Sequence, residues 1–191
     1  MKQDKLQLRL AGAGGQGVIL GSIILAEATL STGKQVVQSQ SYGAEARGGL
    51  CKAEVIVDRE PIDYSKVDQA DFLLALTQES LNKYAPEVSG QGIIMADESL
   101  KIPAHLHTEK VVRVPILKTA REVVGKAVTA NIVAVGAINS LLGLAAEQAL
   151  EEAVLRHVPR QTATLNSRAL RAGIKLIKNG NRLKRREKIS A

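Results

Sequence analysis

Apolar residues fall in two rhythms along this chain, short runs that predict strands and longer segments with helical spacing. The segment 6–17 opens with a short apolar strand that breaks into a glycine-dense turn. After Gly17, VILGSIILAEATLSTG carries apolar residues on most faces, which predicts a helix buried between sheet and neighbours and stopped by Gly33. A strand resumes over 34–41. Strand, glycine loop, helix and strand thus span about 35 residues, the spacing of a right-handed βαβ crossover between parallel neighbours. The segment 50–57 (LCKAEVIV) predicts a strand with Cys51, Ala53, Val55 and Val57 on one face. A turn at 58–61 then predicts a short antiparallel return over 62–64.

Further on, 72–76 is a continuous apolar run, as expected of a strand covered on both faces. Thr77 is placed to cap a helix running through Tyr84, and 92–96 and 110–114 predict two more strands. A helix is expected over 116–124. The segment 131–142 is apolar all round and predicts an interior helix, with Gly136 permitting a close helix contact. In 147–157 the residues Ala149, Leu150, Ala153 and Val154 form one stripe, and in 165–178 Leu170, Ile174 and Ile177 do the same. The pattern predicts an α/β, Rossmann-like fold: a mostly parallel sheet flanked by helices, with a β-hairpin insertion and a helical C-terminal part. A single domain over 1–177 is expected, followed by a basic, flexible tail over 178–191.

A chain of 191 residues suffices for one such domain. Aromatics make up only 2%, so the core must be built from Ile, Val, Leu and Ala. That scarcity counts against nucleic acid, since single-strand binders stack bases on aromatic side chains. Much of the net charge of +7 lies in the tail, where six Lys or Arg stand against Glu187. The tail reads as a solvated terminus or as a docking arm for an acidic partner subunit. Cys51 is the only cysteine, which rules out an internal disulfide and a cluster held by this chain alone. His105, His107 and His157 lack metal-ligand spacing. No apolar stretch is long enough for a membrane span and MKQDKLQ is no signal peptide, so a cytoplasmic protein is expected.

Two stretches carry candidate chemistry. Gly12, Gly14 and Gly17 fall on the G-x-G-x-x-G spacing, with Gly15 and Gln16 between them. Such a loop points free N–H groups at an anion beside a positive helix end. A dinucleotide site also needs an acid about 20 residues on, at the end of the second strand. Here 36–41 reads VVQSQS, with no carboxylate. A glycine turn that merely lets helix and sheet pack closely stays open. The second stretch, 41–49, sets Tyr42, Gly43, Glu45, Arg47, Gly48 and Gly49 directly after a strand end. Ligands of open α/β sheets bind beyond such ends, so both glycine runs are expected at one rim. The bland alternative is a Glu45–Arg47 surface pair adding under ~1 kcal/mol.

The combination of LAGAGGQGVILGSIILAEA, QSYGAEARGGLCKAEVIV and ADFLLALTQESLNKY resembles the gamma subunit of 2-oxoacid:ferredoxin oxidoreductases. The likeness covers residues 5–175 and is nearest the 2-oxoglutarate and branched-chain 2-oxoacid types, with the pyruvate type related. It implies an assembly that oxidatively decarboxylates a 2-oxoacid, forms acyl-CoA and reduces ferredoxin. Thiamine diphosphate and the iron–sulfur clusters are then expected on partner subunits, with no tightly bound cofactor, catalytic residue or metal ligand in this chain. Its implied part is assembly together with access or binding of coenzyme A (CoA). The phosphates of CoA would meet Gly12, Gly14, Gly15, Gln16, Gly17, Tyr42, Gly43, Glu45, Arg47, Gly48 and Gly49. Arg47 would supply a forked charged contact and Glu45 would orient it. A stand-alone nucleotide-binding or NAD-dependent oxidoreductase and a purely structural adaptor are the alternatives.

Overall fold

Six strands form one sheet in the computed structural model, which describes residues 5–42, 49–104, 106 and 110–187. In chain order the elements are β1 (Leu6–Ala13), α1 (Val18–Leu30), β2 (Gln35–Tyr42), β3 (Leu50–Asp58), β4 (Ala70–Ala75) and α2 (Gln78–Tyr84). There follow β5 (Val88–Asp97), β6 (Lys110–Val114), α3 (116–124), α4 (Ala130–Leu142), α5 (Glu147–His157) and α6 (Ala163–Glu187). The strand order is β2-β3-β1-β4-β5-β6. Pairings from β1 through β4 and β5 to β6 are parallel, whereas β3 runs antiparallel to both β1 and β2.

The sheet is therefore mostly parallel, but β1 and β2 are not neighbours. They point the same way with β3 between them, which corrects the expected crossover between adjacent strands. Side-chain chemistry explains the order. QVVQSQSY is too polar to be buried on both faces and takes the edge, where polar strands are tolerated. In β3, Ala53, Val55, Ile56 and Val57 are all buried, which requires an inner place. The hairpin partner of β3 is accordingly β2, not 62–64. Those residues form no strand, because both edges of β3 are already occupied and Pro61 brings no N–H. Instead Ile62 packs with Val67 and Ala70 against Ile56.

The sheet has two unequal faces. Leu8, Leu10, Phe72 and Leu74 join a large core with α1, α4, α5 and α6. On the other face Ala11, Leu73, Ala75 and Ile94 meet Leu81 and Tyr84 of α2. Thr77 caps α2 in a reciprocal box, its hydroxyl accepting from the Ser80 N–H. Helix α4 is buried along ten of its thirteen residues, as its all-round apolar sequence requires. It crosses α6 at two glycines: a β-carbon on Gly136 would lie 2.3 Å from the Leu170 carbonyl oxygen, and one on Gly173 only 1.9 Å from that of Val133.

Two expected helices change form. The segment 116–124 is α-helical only over Ile116–Lys118 and widens to a π-helix over Thr119–Val124. The last helix, expected to close at 178, continues to Glu187. No helix among the described residues is long and apolar enough to cross a membrane.

Candidate functional site

All five like-directed strands end at one rim of the sheet, where β3 begins. The first glycine turn leaves β1 there. Its Gly14 N–H donates to the Gly49 carbonyl at 2.8 Å, so the two glycine runs meet across the rim. Of the second run, Gly43, Glu45, Arg47 and Gly48 lie outside the described residues. Tyr42 ends β2 in register with Cys51.

The turn is built by its own residues. Gln16 folds back so that its Oε1 accepts the Ala13 N–H at 2.7 Å, while its N–H donates to the Ala13 carbonyl at 3.1 Å. Gly12 must lack a side chain to admit this, since a β-carbon would stand 2.5 Å from Gln16 Oε1. Gly17 caps α1 with φ of 71°, a left-handed conformation that L side chains adopt at a cost. Its amide and that of Gly15 have no hydrogen-bond partner among the described residues.

The start of α4 lies against the same turn. Asn131 Nδ2 reaches the Gly17 carbonyl at 3.4 Å, which ties the start of α4 to the partly positive N-terminus of α1; the first amide of α4, that of Ala130, is taken up by the Ala127 carbonyl of a preceding 3-10 turn. Two clefts open beside them. One, of about 300 Å³, is lined by Gly15, Gly17, Thr129, Asn131 and Asn166 among others. The second, of about 370 Å³, is lined by Gly15, Gln16, Leu117, Arg121 and Val128 among others. Among the described residues neither lining contains a carboxylate, and Val128, 76% exposed, stands between the two as an apolar lip. The arrangement suits a phosphate with an apolar extension.

Across the rim, Asp97 is buried and ties the end of β5 to α3. Its Oδ2 accepts the Leu117 N–H at 2.8 Å, and its Oδ1 the Ser99 N–H and hydroxyl at 3.1 and 2.5 Å. Cys51 lies opposite Gly12 in the β1–β3 register, and burial pushes its thiol pKa up, away from nucleophilic use.

A second polar cluster went unread in the sequence and lies on the α2 face. Arg9 and Glu54 are opposite in register and almost wholly buried, with Arg9 Nε 2.8 Å from Glu54 Oε1. Arg9 also donates to Glu87 and, at 2.6 Å, to the Val67 carbonyl. Lys52 Nζ reaches Glu54 Oε1 at 2.9 Å. Burial raises the Glu54 pKa, but the hydrogen bonds from Lys52 and Arg9 outweigh it and hold the carboxyl below its usual range. Burial likewise lifts the Tyr84 phenol, whose ring faces the Arg9 guanidinium at 5.2 Å. The signal that could have found the cluster is charge inside two largely apolar strands, the lone Arg9 of LQLRLAGA and the Lys52 and Glu54 of LCKAEVIVD.

Comparison with known proteins gives a consistent result. The family described as pyruvate ferredoxin/flavodoxin oxidoreductase matches residues 7–176. The 2-oxoglutarate synthase subunit KorC of Methanothermobacter thermautotrophicus is 38% identical over 189 residues, covering 95% of this chain and 100% of the relative. KorC of Methanocaldococcus jannaschii is 37% identical, covering 90% and 94%. Among solved structures, the gamma subunit of a keto/oxoacid ferredoxin oxidoreductase from Geobacter sulfurreducens superposes with a TM-score of 0.80 at 40% identity, covering 92% of this chain and 97% of that one. A 2-oxoglutarate:ferredoxin oxidoreductase from Magnetococcus marinus, with 2-oxoglutarate, coenzyme A and succinyl-CoA bound, shares the fold at a TM-score of 0.83 and 23% identity; the match covers 93% of this chain and 32% of that one.

Proposed function

The chain belongs to the pyruvate ferredoxin/flavodoxin oxidoreductase family, and from that membership we infer that it serves as the gamma subunit of a 2-oxoglutarate:ferredoxin oxidoreductase. The assembly decarboxylates the 2-oxoacid, transfers the acyl group to CoA and passes two electrons to ferredoxin. Thiamine diphosphate and the clusters would reside on the other subunits. A sole cysteine, buried in β3, leaves this chain no thiolate set for a cluster. It is inactive alone and works in the cytoplasm with those partners.

Its part in the reaction is to hold or admit CoA. The observation that carries this reading is the meeting of Gly14 with Gly49 beside the N-terminus of α1, the start of α4 and two clefts that hold no carboxylate among the described residues. The unpaired amides of Gly15 and Gly17 would receive a phosphate of CoA, with Arg121 nearby and Arg47 as a forked charge from the second run. A stand-alone NAD enzyme is not favoured, because the end of β2 reads QSQS and offers no carboxylate for a ribose. A purely packing role draws support from one feature: the Gly14 amide is already satisfied by Gly49.

CoA titration of the reconstituted complex tests the reading. Arg47→Ala should raise the KM for CoA roughly tenfold or more, since a charged hydrogen bond contributes about 1.5–3 kcal/mol, with the 2-oxoacid KM unchanged. An unchanged CoA KM with normal assembly removes Arg47 from the site.

A further inference from the structure

The excess positive charge of this chain lies in the C-terminal part of its sequence. Residues 116–191 contain 14 Lys and Arg against five Asp and Glu, while the preceding residues carry slightly more acid than base. On α6, Arg168, Arg171, Lys175 and Lys178 follow one another at intervals of four and three, which places them on one face. Arg171 and Lys178 already meet carboxylates of α5, with Nη2 of Arg171 3.0 Å from Glu151 and Nζ of Lys178 2.6 Å from Glu147. Arg168 donates to the Val124 carbonyl and meets no carboxylate among the described residues, and neither does Lys175.

Beside this row runs an open groove of about 610 Å³, whose lining includes Val123, Leu155, Ala172, Arg168, Arg171 and Lys175. Val123 is 65% exposed and Leu155 41%, two large apolar side chains that line one groove rather than standing singly on the surface. Apolar floor and cationic rim occur together, and each narrows the occupant. The charge repels a second copy of this face. Among the described residues the lining holds no aromatic side chain on which a base could stack, and its apolar floor adds nothing to the binding of a phosphate backbone. Transient electron-transfer encounters sit at the small end of interface size, whereas lasting subunit contacts are larger and more hydrophobic, which the apolar floor suits better.

We propose that this α5–α6 groove, which draws on α3 and α6 as the clefts at the glycine rim do but shares no lining residue with them, seats an acidic amphipathic segment of another subunit of the oxidoreductase. Apolar side chains of that segment cover Val123 and Leu155, and its carboxylates face Lys175 and Arg168. The proposal rests on the gamma-subunit reading above.

The test measures association of the full chain with its partner subunits as a function of salt. A double variant, Val123→Asp with Lys175→Glu, changes two exposed residues whose side chains make no hydrogen bond among the described residues. Its thermal melt should match the parent. Its affinity for the partner subunits should fall roughly tenfold or more, and the salt dependence of the association should flatten. Lys175→Arg should retain both, as should Leu30→Asp, an exposed apolar residue on α1 outside the groove lining. Normal assembly of the double variant overturns the proposal, as does a defect confined to electron delivery to ferredoxin. If the unaltered chain fails to join the partner subunits, the gamma-subunit reading falls and the groove with it.

Discussion

Gly17 and Asn131 approach so closely that a β-carbon on the glycine would lie 2.5 Å from the Asn131 side-chain nitrogen. Gly17 also has φ of 71°. Gly17→Ala therefore combines a left-handed backbone penalty of ~1–2 kcal/mol with the displacement of Asn131, at a further ~1–3 kcal/mol. Gly15, with φ of 88°, has nothing within contact distance, so Gly15→Ala should lose only the first share. Urea denaturation of both variants separates the two effects. Equal losses would show that Asn131 moves aside freely.

The buried Arg9–Glu54 pair sets a pH dependence. The folded Glu54 carboxyl titrates below its ordinary value, so as pH falls the unfolded chain binds the proton first. Its contribution is complete above the unfolded pKa, about 4.3, and is lost as pH falls through the lower folded value. Glu54→Gln leaves Arg9 a buried cation with its main partner removed, which should cost about 3–5 kcal/mol at neutral pH and reduce the loss of stability in acid. Denaturation at pH 7 and below 4 checks both points.

Glu27 on α1 should act in the same direction more weakly. Burial raises its pKa, but hydrogen bonds from His157 and Arg156 on α5 outweigh this and hold it below the usual range. The site is a third exposed and screened by solvent. Glu27→Gln should lower stability slightly at neutral pH, and the difference from the parent should vanish in acid. A difference that persisted at low pH would assign the effect to packing.

The α4–α6 crossing should be among the least tolerant places in the chain. Gly173→Ala drives a methyl group into the Val133 carbonyl, a backbone atom that cannot swing away. The expected loss is at or above the upper end of ~1–3 kcal/mol, seen as a melting temperature lower by several degrees. Gly143→Ala makes a useful contrast: φ is 66° but no atom lies near, so only the backbone penalty applies.

Cys51 should resist thiol reagents in the native state. Its side chain is buried and its pKa is raised by that burial, so little thiolate is present at pH 7–8. Labelling should follow the rate of unfolding and become fast in denaturant. Fast native labelling would place Cys51 on an accessible surface.

Where sequence pattern coincided with local physics, it was readable. α5 follows its stripe from Glu147 to His157, Thr77 caps α2, and Gly136 admits a second helix. Strand pairing was less legible. The place of β3 between β1 and β2 depends on which strand can be buried on both faces, a comparison between segments that no single window contains. The meeting of the glycine runs at Gly14 and Gly49 followed from strand direction and is seen as a hydrogen bond. Asn131, 114 residues from Gly17, carried no local mark of joining that turn. The same holds for Arg9 and Glu54, which take their meaning from a register, Arg9 opposite Glu54, that becomes visible only once β1 and β3 are paired.

Both neighbours of β1, β3 and β4, are encoded after it, and neither begins before Leu50. While the ribosome has released no more than Tyr42, the most central of the early strands has two open edges, and β2 has nothing to pair with. A translation product cut short at that point would expose unsatisfied, apolar backbone ribbon and be prone to stick to other chains. Emergence of nine further strand residues, Leu50–Asp58, joins β1 and β2 through a single intermediary.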